Sequence, residues 1–400
     1  MSEMVVPDGW EMLEVQDAFL LGRGRVISKP EIQNNSGIYP VYSSQSKDKG
    51  IMGKINTYDF DGEYITWTTD GAYAGTVFYR SGKFNCTNVC GTLKDKGIFD
   101  VEMRFIARYL STVAKNHVSY VGNPKLMNGI FSEILFLLPP LPEQQKIASI
   151  LTSVDEVIEK TQSQINKLQD MKKGTMNELL TKGIGHTEFK DSPVGKIPKE
   201  WEVKKFGEIA RVQGGYAFKS KDAQESGARW LKIANVGIGK VVWKDKSHLP
   251  PEFLTEHRDF VLRTGDIIVA LTRPILNHKL KIAMVDTPDS GALLNQRVGR
   301  ILSKTDVGVR FLYYLLKSEY SVGFIEKVIF GSDPPNISGQ QIESINFAIP
   351  SIQEQQKIAS ILSSMDSHIE EKQRKLEQTQ SLKKSLMQDL LTGKVRVTVH

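Results

Sequence analysis

The chain is poor in the features that mark secreted and membrane-spanning proteins. It has two cysteines among 400 residues, which excludes a disulfide scaffold and fits a reducing compartment. Its apolar runs, such as Ile134–Leu138, are far shorter than the ~20 residues needed to cross a bilayer. Because Glu3, Asp8 and Glu11 stand where a signal peptide would need apolar residues, we expect a cytoplasmic protein with no membrane partner.

Signatures of catalysis are also missing. No Gly-Lys pair is followed by Ser or Thr, as the phosphate-binding loop of an ATPase requires. Cys86 and Cys90 lie in strand-like sequence with no histidine close by, so we expect no metal site. The segment 333–336 resembles the loop with which amino-methyltransferases hold a flipped base, but Asn336 replaces the aromatic residue. The residues therefore argue against ATP turnover through such a loop, against a metal site and against methyl transfer.

What the chain does have is a modest excess of positive charge. It contains 52 Lys and Arg residues against 46 Asp and Glu residues, a net charge of +6, and its pI is about 9.0. Such a balance permits a polyanionic partner. It is also ordinary for a globular protein of this size, so charge alone does not decide between the two interpretations.

The strongest signal is an internal repeat. Glu143–Leu151 recurs letter for letter as Glu354–Leu362, and twelve of the next thirty positions are also identical. Apolar residues spaced alternately by three and four predict two long helices with a coiled-coil seam, each roughly 57 Å long. Each helix needs a partner, so we predict an antiparallel coiled coil within the chain. The alternative is a generic four-helix or dimeric bundle.

The seam offers a direct test of this prediction. Leu151 and Leu362 occupy the same repeated position on the two apolar seams. Replacing both by Asp is expected to break the coiled coil and abolish activity while both globules stay folded.

Two globular segments alternate with the repeated helices. Strand-like runs such as Glu63–Thr69 and Trp230–Ile233, with helices over Val101–Asn116 and Val309–Lys317, predict an α+β fold for each. The whole chain is then an α+β protein with pseudo-twofold organisation. The predicted boundaries are 1–142 for the first globule, 143–185 for the first repeated helix, 186–349 for the second globule, and 350–400 for the second repeated helix and tail.

These features resemble the specificity subunit of type I restriction-modification systems. The resemblance rests mainly on the doubled segments Pro142–Ala148 and Gln353–Ala359, and on the tryptophans Trp10 and Trp201 that open the two halves. It implies two α/β target-recognition domains, each reading one half of a bipartite, gapped target in double-stranded DNA. It also implies that the coiled coil sets the gap and docks two methyltransferase subunits, and through them restriction-translocase subunits.

The same resemblance implies that the chain is a non-catalytic subunit without cofactors. S-adenosylmethionine, ATP and Mg would be bound only by the partner subunits. The alternatives are a scaffold that binds only proteins, a fragment of a methyltransferase, and a DNA-binding regulator that works alone.

Candidate DNA contacts lie on loops rich in hydroxyl, amide and basic side chains. Amide and guanidinium groups suit hydrogen bonds to base edges, while lysines contact phosphates. In the first globule the candidates are Ser43, Ser44, Gln45, Lys47, Lys49, Thr68, Thr69, Tyr73 and Lys125. In the second they are Tyr216, Lys219, Lys221, Asn235, Arg273, Lys279, Lys281, Asn295, Arg297 and Asn336. Docking of the methyltransferase subunits is predicted at the polar starts of the repeated helices, at Gln144, Gln145, Lys146, Gln355, Gln356 and Lys357.

Overall fold

A computed structural model describes residues 6–44, 47–244 and 246–399, with the backbone alone described at Lys47. The chain forms two compact units. The first comprises Met1–Ser163 with Gln373–His400, and the second comprises Gln164–Lys372. Each unit contains sheets, short helices and one portion of each of two long helices. The two units are divided within the long helices, whereas the predicted boundaries at 142, 185 and 349 lie near the ends of those helices.

The first unit is built around a four-stranded antiparallel sheet. The strands of the whole unit are β1 (Glu11–Glu14), β2 (Phe19–Arg23), β3 (Ser36–Tyr42), β4 (Ile51–Ile55), β5 (Glu63–Thr68), β6 (Val77–Ser81), β7 (Asn85–Cys86), β8 (Cys90–Asp95) and β9 (Leu135–Leu138). Its helices are α1 (Val15–Ala18), α2 (Lys29–Asn34), α3 (Met103–Val113), α4 (Asn128–Ser132) and the first part of α5 (Leu141–Thr181). The main sheet has the order β2-β8-β5-β6, β3 lies between β4 and β7, and β1 pairs with β9.

The core of the first unit joins this sheet to the helices. The apolar face of α3, which includes Phe105 and Leu110, packs in one cluster with Trp67 of β5. Leu151 of α5 belongs to the same cluster, as does Leu390 from the end of the second long helix. The helix predicted over Val101–Asn116 is therefore confirmed in position but shorter, because Glu102 caps α3 and residues 114–117 tighten into a 3₁₀ turn.

The second unit repeats the plan of the first. Its strands are β10 (Phe189–Ser192), β11 (Gly195–Pro198), β12 (Glu202–Lys205), β13 (Ala210–Gly214), β14 (Ala228–Leu231), β15 (His248–Leu249), β16 (Ile267–Ala270), β17 (Ile275–Leu276), β18 (Lys279–Leu280), β19 (Ile282–Met284), β20 (Leu293–Leu294), β21 (Val298–Ser303) and β22 (Asn346–Ile349). Its helices are α6 (Phe206–Ile209), α7 (Phe253–Glu256), α8 (Val309–Lys317), α9 (Glu319–Ile329), α10 (Gly339–Glu343), the last part of α5 and the first part of α11 (Ile352–Leu391). The main sheet has the order β13-β21-β16-β19, which matches β2-β8-β5-β6 strand for strand.

The match extends to the smaller sheets. β14 lies between β15 and β20 as β3 lies between β4 and β7, and β12 pairs with β22 as β1 pairs with β9. Trp10 and Trp201 are 191 residues apart, whereas Glu143 and Glu354 are 211 apart, so the second copy is 20 residues longer between these positions. Helix α9 and the β17–β18 hairpin are elements of this longer copy. The α+β class and the internal duplication are thus confirmed.

The two long helices end where glycine permits the chain to turn. α5 has 41 residues and α11 has 40. Gly183 and Gly393 follow them with φ values of +68° and +69°, in the left-handed region that commonly terminates helices. In each unit the start of one long helix packs beside the end of the other, so the antiparallel pairing within the chain is confirmed. Among the described residues no helix is both long enough and apolar enough to cross a membrane.

The two cysteines lie in the first unit and are both buried and free. Burial raises the pKa of the Cys86 thiol well above its ordinary range and raises that of Cys90 to about 11. Both thiols therefore stay protonated at neutral pH and are poor nucleophiles. Within the described ranges no group of three or more His, Cys, Asp and Glu side chains is placed to hold a metal ion.

Candidate nucleic-acid interface

In the first unit a buried glutamate joins the start of α5 to both chain ends. The Trp10 indole donates a 3.1 Å hydrogen bond to Glu143, and the Arg396 guanidinium donates two more, at 2.7 and 2.8 Å. Burial alone would raise the pKa of Glu143, but the bonds from Arg396 and Trp10 outweigh it and hold that pKa below its ordinary value. We call this group the first clasp, since it holds the tail after α11 against the start of α5.

The second unit has the same arrangement with one substitution. Trp201 donates a 3.0 Å hydrogen bond to Glu354, the repeat counterpart of Glu143, and the His186 ring lies 3.0 Å from both carboxylate oxygens. The backbone amide of Ile184 also donates to Glu354, at 2.8 Å. In this second clasp His186 takes the place of Arg396. The clasps explain physically why tryptophan and glutamate recur at these positions.

The residues after the clasp glutamates differ in accessibility. Gln144 is buried, accepts from the amide of Glu102 at 2.7 Å and donates to the carbonyls of Asp100 and Pro139 at 2.9 and 2.7 Å. Gln355 is also buried and donates to the Pro350 carbonyl at 2.9 Å. Because both amides bind the backbone of their own unit, Gln144 and Gln355 are unsuited to partner docking and are withdrawn as candidates. The other four docking candidates are exposed: Gln145, Lys146, Gln356 and Lys357.

A second pair of contacts joins the long helices reciprocally. In the first unit Asp155 of α5 accepts from Lys383 of α11 at 2.6 Å and from Arg108 of α3 at 2.7 Å. Burial raises the pKa of Asp155, but these two cations outweigh that effect and keep it below its ordinary value.

In the second unit the roles of the two long helices are exchanged. Asp366 of α11, the counterpart of Asp155, pairs with Lys172 of α5 and accepts from the Tyr314 hydroxyl at 2.8 Å. Burial lowers the pKa of Lys172 and raises that of Tyr314. In both units this aspartate therefore joins the two long helices to each other and to a shorter helix of the same unit, α3 in the first and α8 in the second.

A loop crosses the end of the central strand in the first unit. In this crossing loop, residues 119–126, the Pro124 carbonyl accepts a 2.9 Å hydrogen bond from the amide of Gly71. The amide of Leu126 donates a 2.9 Å hydrogen bond to the Thr69 carbonyl. Thr68 and Thr69 are buried, whereas Lys125 and Tyr73 are exposed. Thr68 and Thr69 are thus unsuited to direct DNA contact, whereas Lys125 and Tyr73 stay candidates.

The second unit has an equivalent crossing loop, residues 330–337. The amide of Arg273 donates to the Pro335 carbonyl at 2.7 Å, and the amide of Ile337 donates to Leu271 at 2.8 Å. Arg273 and Asn336 are both exposed at this edge. The structure therefore brings together two candidates that are 63 positions apart in the sequence.

Arg273 holds a backbone conformation that ordinary residues avoid. Its φ is +47°, and the position corresponds to Gly71 of the first unit, where φ is +89°. The left-handed region costs a side-chain-bearing residue about 1–2 kcal/mol. An exposed arginine kept at such a position points to a role outside the fold.

Replacing Arg273 by Gly should separate stability from function. We expect the free energy of unfolding to stay the same or rise by about 1 kcal/mol, because relief of strain exceeds the entropic cost of glycine. The resemblance to a specificity subunit implies a DNA contact at Arg273, so DNA affinity should fall roughly fivefold or more, with a shallower salt dependence. Denaturant unfolding and DNA-binding titrations at several salt concentrations measure the two effects. As a matched variant, Gly71→Ala should destabilise the fold by about 1 kcal/mol.

The loop after β3 holds further candidates of the first unit. Ser43 and Ser44 are half-buried, and Lys49 is exposed and lies 2.9 Å from Glu159. Gln45 and the side chain of Lys47 lie outside the described residues. Arg80 is a further residue here that no sequence pattern indicated. It is buried, donates to the carbonyl of Lys49 at 2.7 Å and stacks on the Tyr42 ring at 3.5 Å.

An aromatic group supports the corresponding edge of the second unit. Tyr216 is exposed and packs on the ring of His257 at 4.1 Å. Its amide donates to Leu294 at 2.9 Å, which sets it beside half-buried Asn295 and exposed Arg297. Gly215 is required here, because a Cβ would lie 2.3 Å from the Asn295 carbonyl oxygen. Lys219 and Lys221, which follow, are exposed.

The counterpart of Tyr216 in the first unit is a residue that sequence reasoning missed. Arg25 forms a parallel bridge to Thr87 as Tyr216 does to Asn295, and it follows Gly24, where a Cβ would lie 2.1 Å from a carbonyl oxygen. The offset of 191 that relates Trp10 to Trp201 also relates Arg25 to Tyr216. That offset was the signal that could have identified Arg25.

The last group of candidates surrounds the β17–β18 hairpin. Asn235 is buried, donates to the Val242 carbonyl at 3.1 Å and accepts from the Lys232 amide at 2.9 Å. It serves the fold and is withdrawn as a DNA contact. Lys281 is half-buried and donates to the Ile233 carbonyl at 2.8 Å, while Lys279 is exposed. Burial lowers the pKa of Lys281.

The geometry of the two units defines a class of protein. It is a duplicated α+β chain in which each copy of the sheet presents exposed basic and amide side chains on loops and is clasped to paired helices. The family model of the type I restriction modification DNA specificity domain matches residues 7–170 and 198–379. The chain belongs to this family, with both copies of the domain present.

Similar proteins agree with this assignment. The specificity subunit of the type I restriction enzyme MjaVIII from Methanocaldococcus jannaschii is 36% identical over 410 residues, covering 99% of this chain and 95% of that one. The crystal structure of the type I restriction-modification S subunit from M. genitalium shares the fold with a TM-score of 0.66 and 16% identity, over 100% of this chain and 99% of that one. A chain from a study of complex assembly and conformational transition of the type I R-M system gives a TM-score of 0.57 at 13% identity, over 98% and 100%.

Proposed function

We propose that this chain selects the DNA sequence on which a type I restriction-modification enzyme acts, with each unit reading one half of a bipartite, gapped target. The observation that carries the proposal is the repetition of one sheet order with different residues at the same edge. Gly71 and Lys125 in the first unit correspond to Arg273 and Asn336 in the second. Because the frame is the same and the contacting side chains differ, the two half-sites should have different sequences.

The paired helices have a separate role in this proposal. They would set the number of base pairs left unread between the half-sites, since two DNA-binding units joined by rigid helices contact successive grooves at a fixed spacing. The exposed residues Gln145, Lys146, Gln356 and Lys357 would contact two methyltransferase subunits, which in turn bind the restriction-translocase subunits. S-adenosylmethionine, ATP and Mg would be held by those partners, and this cytoplasmic chain would be non-catalytic.

A genome-wide map of adenine methylation tests the proposal. Cells carrying this chain with its neighbouring methyltransferase would be compared, by single-molecule sequencing, with cells lacking only this chain. We expect a split motif with a fixed gap that disappears on deletion.

The other possible results identify the alternatives. An unchanged map, with the methyltransferase shown to be active alongside another specificity chain, would favour a protein scaffold. Methylation by this chain alone, with S-adenosylmethionine bound to it, would favour a methyltransferase. Sequence-specific binding by the isolated chain, with no effect on methylation, would favour an independent regulator.

A further inference from the structure

Each crossing loop carries, near its start, an apolar side chain that is almost completely exposed. Val121 is 92% exposed in the first unit, and Phe330 is 90% exposed in the second. Both precede a glycine with positive φ, Gly122 at +75° and Gly331 at +79°, so both lie at the turn of the loop. Single exposed apolar residues are common on protein surfaces, but in both copies one stands directly before a positive-φ glycine in the crossing loop, four residues before Lys125 and six residues before Asn336.

The same two loops carry exposed basic and amide candidates. In the first unit the crossing loop contains Lys125, whose side chain is exposed. The residue before it, Pro124, accepts a 2.9 Å hydrogen bond from the amide of Gly71. In the second unit the crossing loop contains Asn336, beside the strained and exposed Arg273. An apolar tip flanked by cations and amides fits a nucleic acid, whose phosphates are anionic and whose bases offer apolar surface.

The difference between the two tips also favours DNA over a protein partner. A surface that docks two copies of one subunit should be the same in both units, as the four exposed residues at the helix starts are. The tips instead carry a short branched side chain in one unit and a large aromatic one in the other. Such variation is expected of groups that contact two different half-sites.

We propose that Phe330 and Val121 are specificity residues that pack against bases of the DNA target, each in the half-site read by its own unit. The inference rests on the proposed function. Apolar side chains contact DNA bases in two ways: they cover the methyl group of thymine, or they press on the face of a base that has been unstacked.

The test uses the full chain assembled with its methyltransferase. The wild-type methylation map first supplies the two half-sites, and Phe330→Ala and Val121→Ala are then mapped in the same way. We expect Phe330→Ala to broaden the sequence requirement in one half-site and Val121→Ala to broaden it in the other. Affinity for a duplex that carries both half-sites should fall roughly tenfold or more for Phe330→Ala, and by less for the smaller Val121.

Controls and probes refine the result. Ile98→Ala and Leu254→Ala remove exposed apolar side chains elsewhere in the first and second units and should leave both half-sites unchanged. Deoxyuridine in place of thymine should weaken wild-type binding where the methyl group is the contact. 2-Aminopurine in the half-site should brighten on binding where a base is unstacked, and less so with Phe330→Ala.

Two results would overturn the inference. If wild type gives a split motif and both tip variants leave motif and affinity unchanged, the tips do not contact bases. If Phe330→Ala instead prevents assembly with the methyltransferase in the absence of DNA, the tip belongs to a protein interface. A wild-type map without a split motif would instead contradict the proposed function itself.

Discussion

Replacing Leu151 by Asp should unfold the first unit. Leu151 has no exposed surface and packs with Trp67, Phe105 and Leu390 in the core of that unit. The change removes a buried apolar side chain and leaves an unpaired charge, so the free energy of unfolding should fall by about 4 kcal/mol or more. That is a large share of the stability of an ordinary domain. Thermal and urea unfolding of the full chain, followed by circular dichroism and limited proteolysis, measure the effect.

The matched control is Leu382→Asp on α11. Leu382 is 53% exposed, so this change should alter stability by no more than about 0.5 kcal/mol. Equal behaviour of the two variants would contradict the packing described for α5. The structure also corrects the expectation that Asp at Leu151 and Leu362 would spare the globules. Leu362 lies in the core of the second unit as Leu151 does in the first, so the globules themselves should unfold.

Replacing Glu143 by Ala should open the first clasp. The change removes the hydrogen bonds from Trp10 and Arg396 and leaves the buried Trp10 indole without this acceptor. Bonds to charged groups contribute about 1.5–3 kcal/mol each, and Arg396 is half-exposed, so we expect a loss of about 2–3 kcal/mol. Glu159→Ala is the matched control, because its ion pair with Lys49 is exposed and should contribute less than about 1 kcal/mol.

Acid titration gives an independent check on the first clasp. The pKa of Glu143 is lowered in the folded state, so its carboxylate stabilises the fold at neutral pH, and that contribution is lost as the pH falls through the folded-state pKa. The stability difference between wild type and Glu143→Ala should therefore shrink below about pH 4.5. A difference that stays constant from pH 7 to pH 3 would show that packing, and not the charge of Glu143, holds the clasp.

Local sequence patterns predicted the elements of the fold well. The seam of the repeated helices and the helix at Val309–Lys317 depend on neighbours within a few turns, so periodicity identified them. The predicted strands Glu63–Thr69 and Trp230–Ile233 occur as Glu63–Thr68 and Ala228–Leu231. These errors of one or two residues arise at ends, where pairing across the sheet decides the limit.

The candidate site was harder to predict because it depends on distant contacts. Thr68 and Thr69 are predicted DNA contacts but are buried, and the Thr69 carbonyl accepts a hydrogen bond from Leu126, 57 positions away. Gln144 and Gln355 read as exposed polar residues, yet their amides bind backbone carbonyls of their own units. Hydrogen bonds of this kind leave no periodic trace. Arg25, by contrast, could have been found by applying the offset of 191 to Tyr216.

Because Cys86 and Cys90 are buried, we expect the natural chain not to react with thiol reagents. Both side chains are inaccessible, and their raised pKa values keep them protonated at the pH used for maleimide labelling. A single cysteine introduced at Val121 or Phe330 would then be the reactive thiol in the native protein. A fluorophore placed there would report directly on the arrival of DNA at either crossing loop, without removal of the natural cysteines.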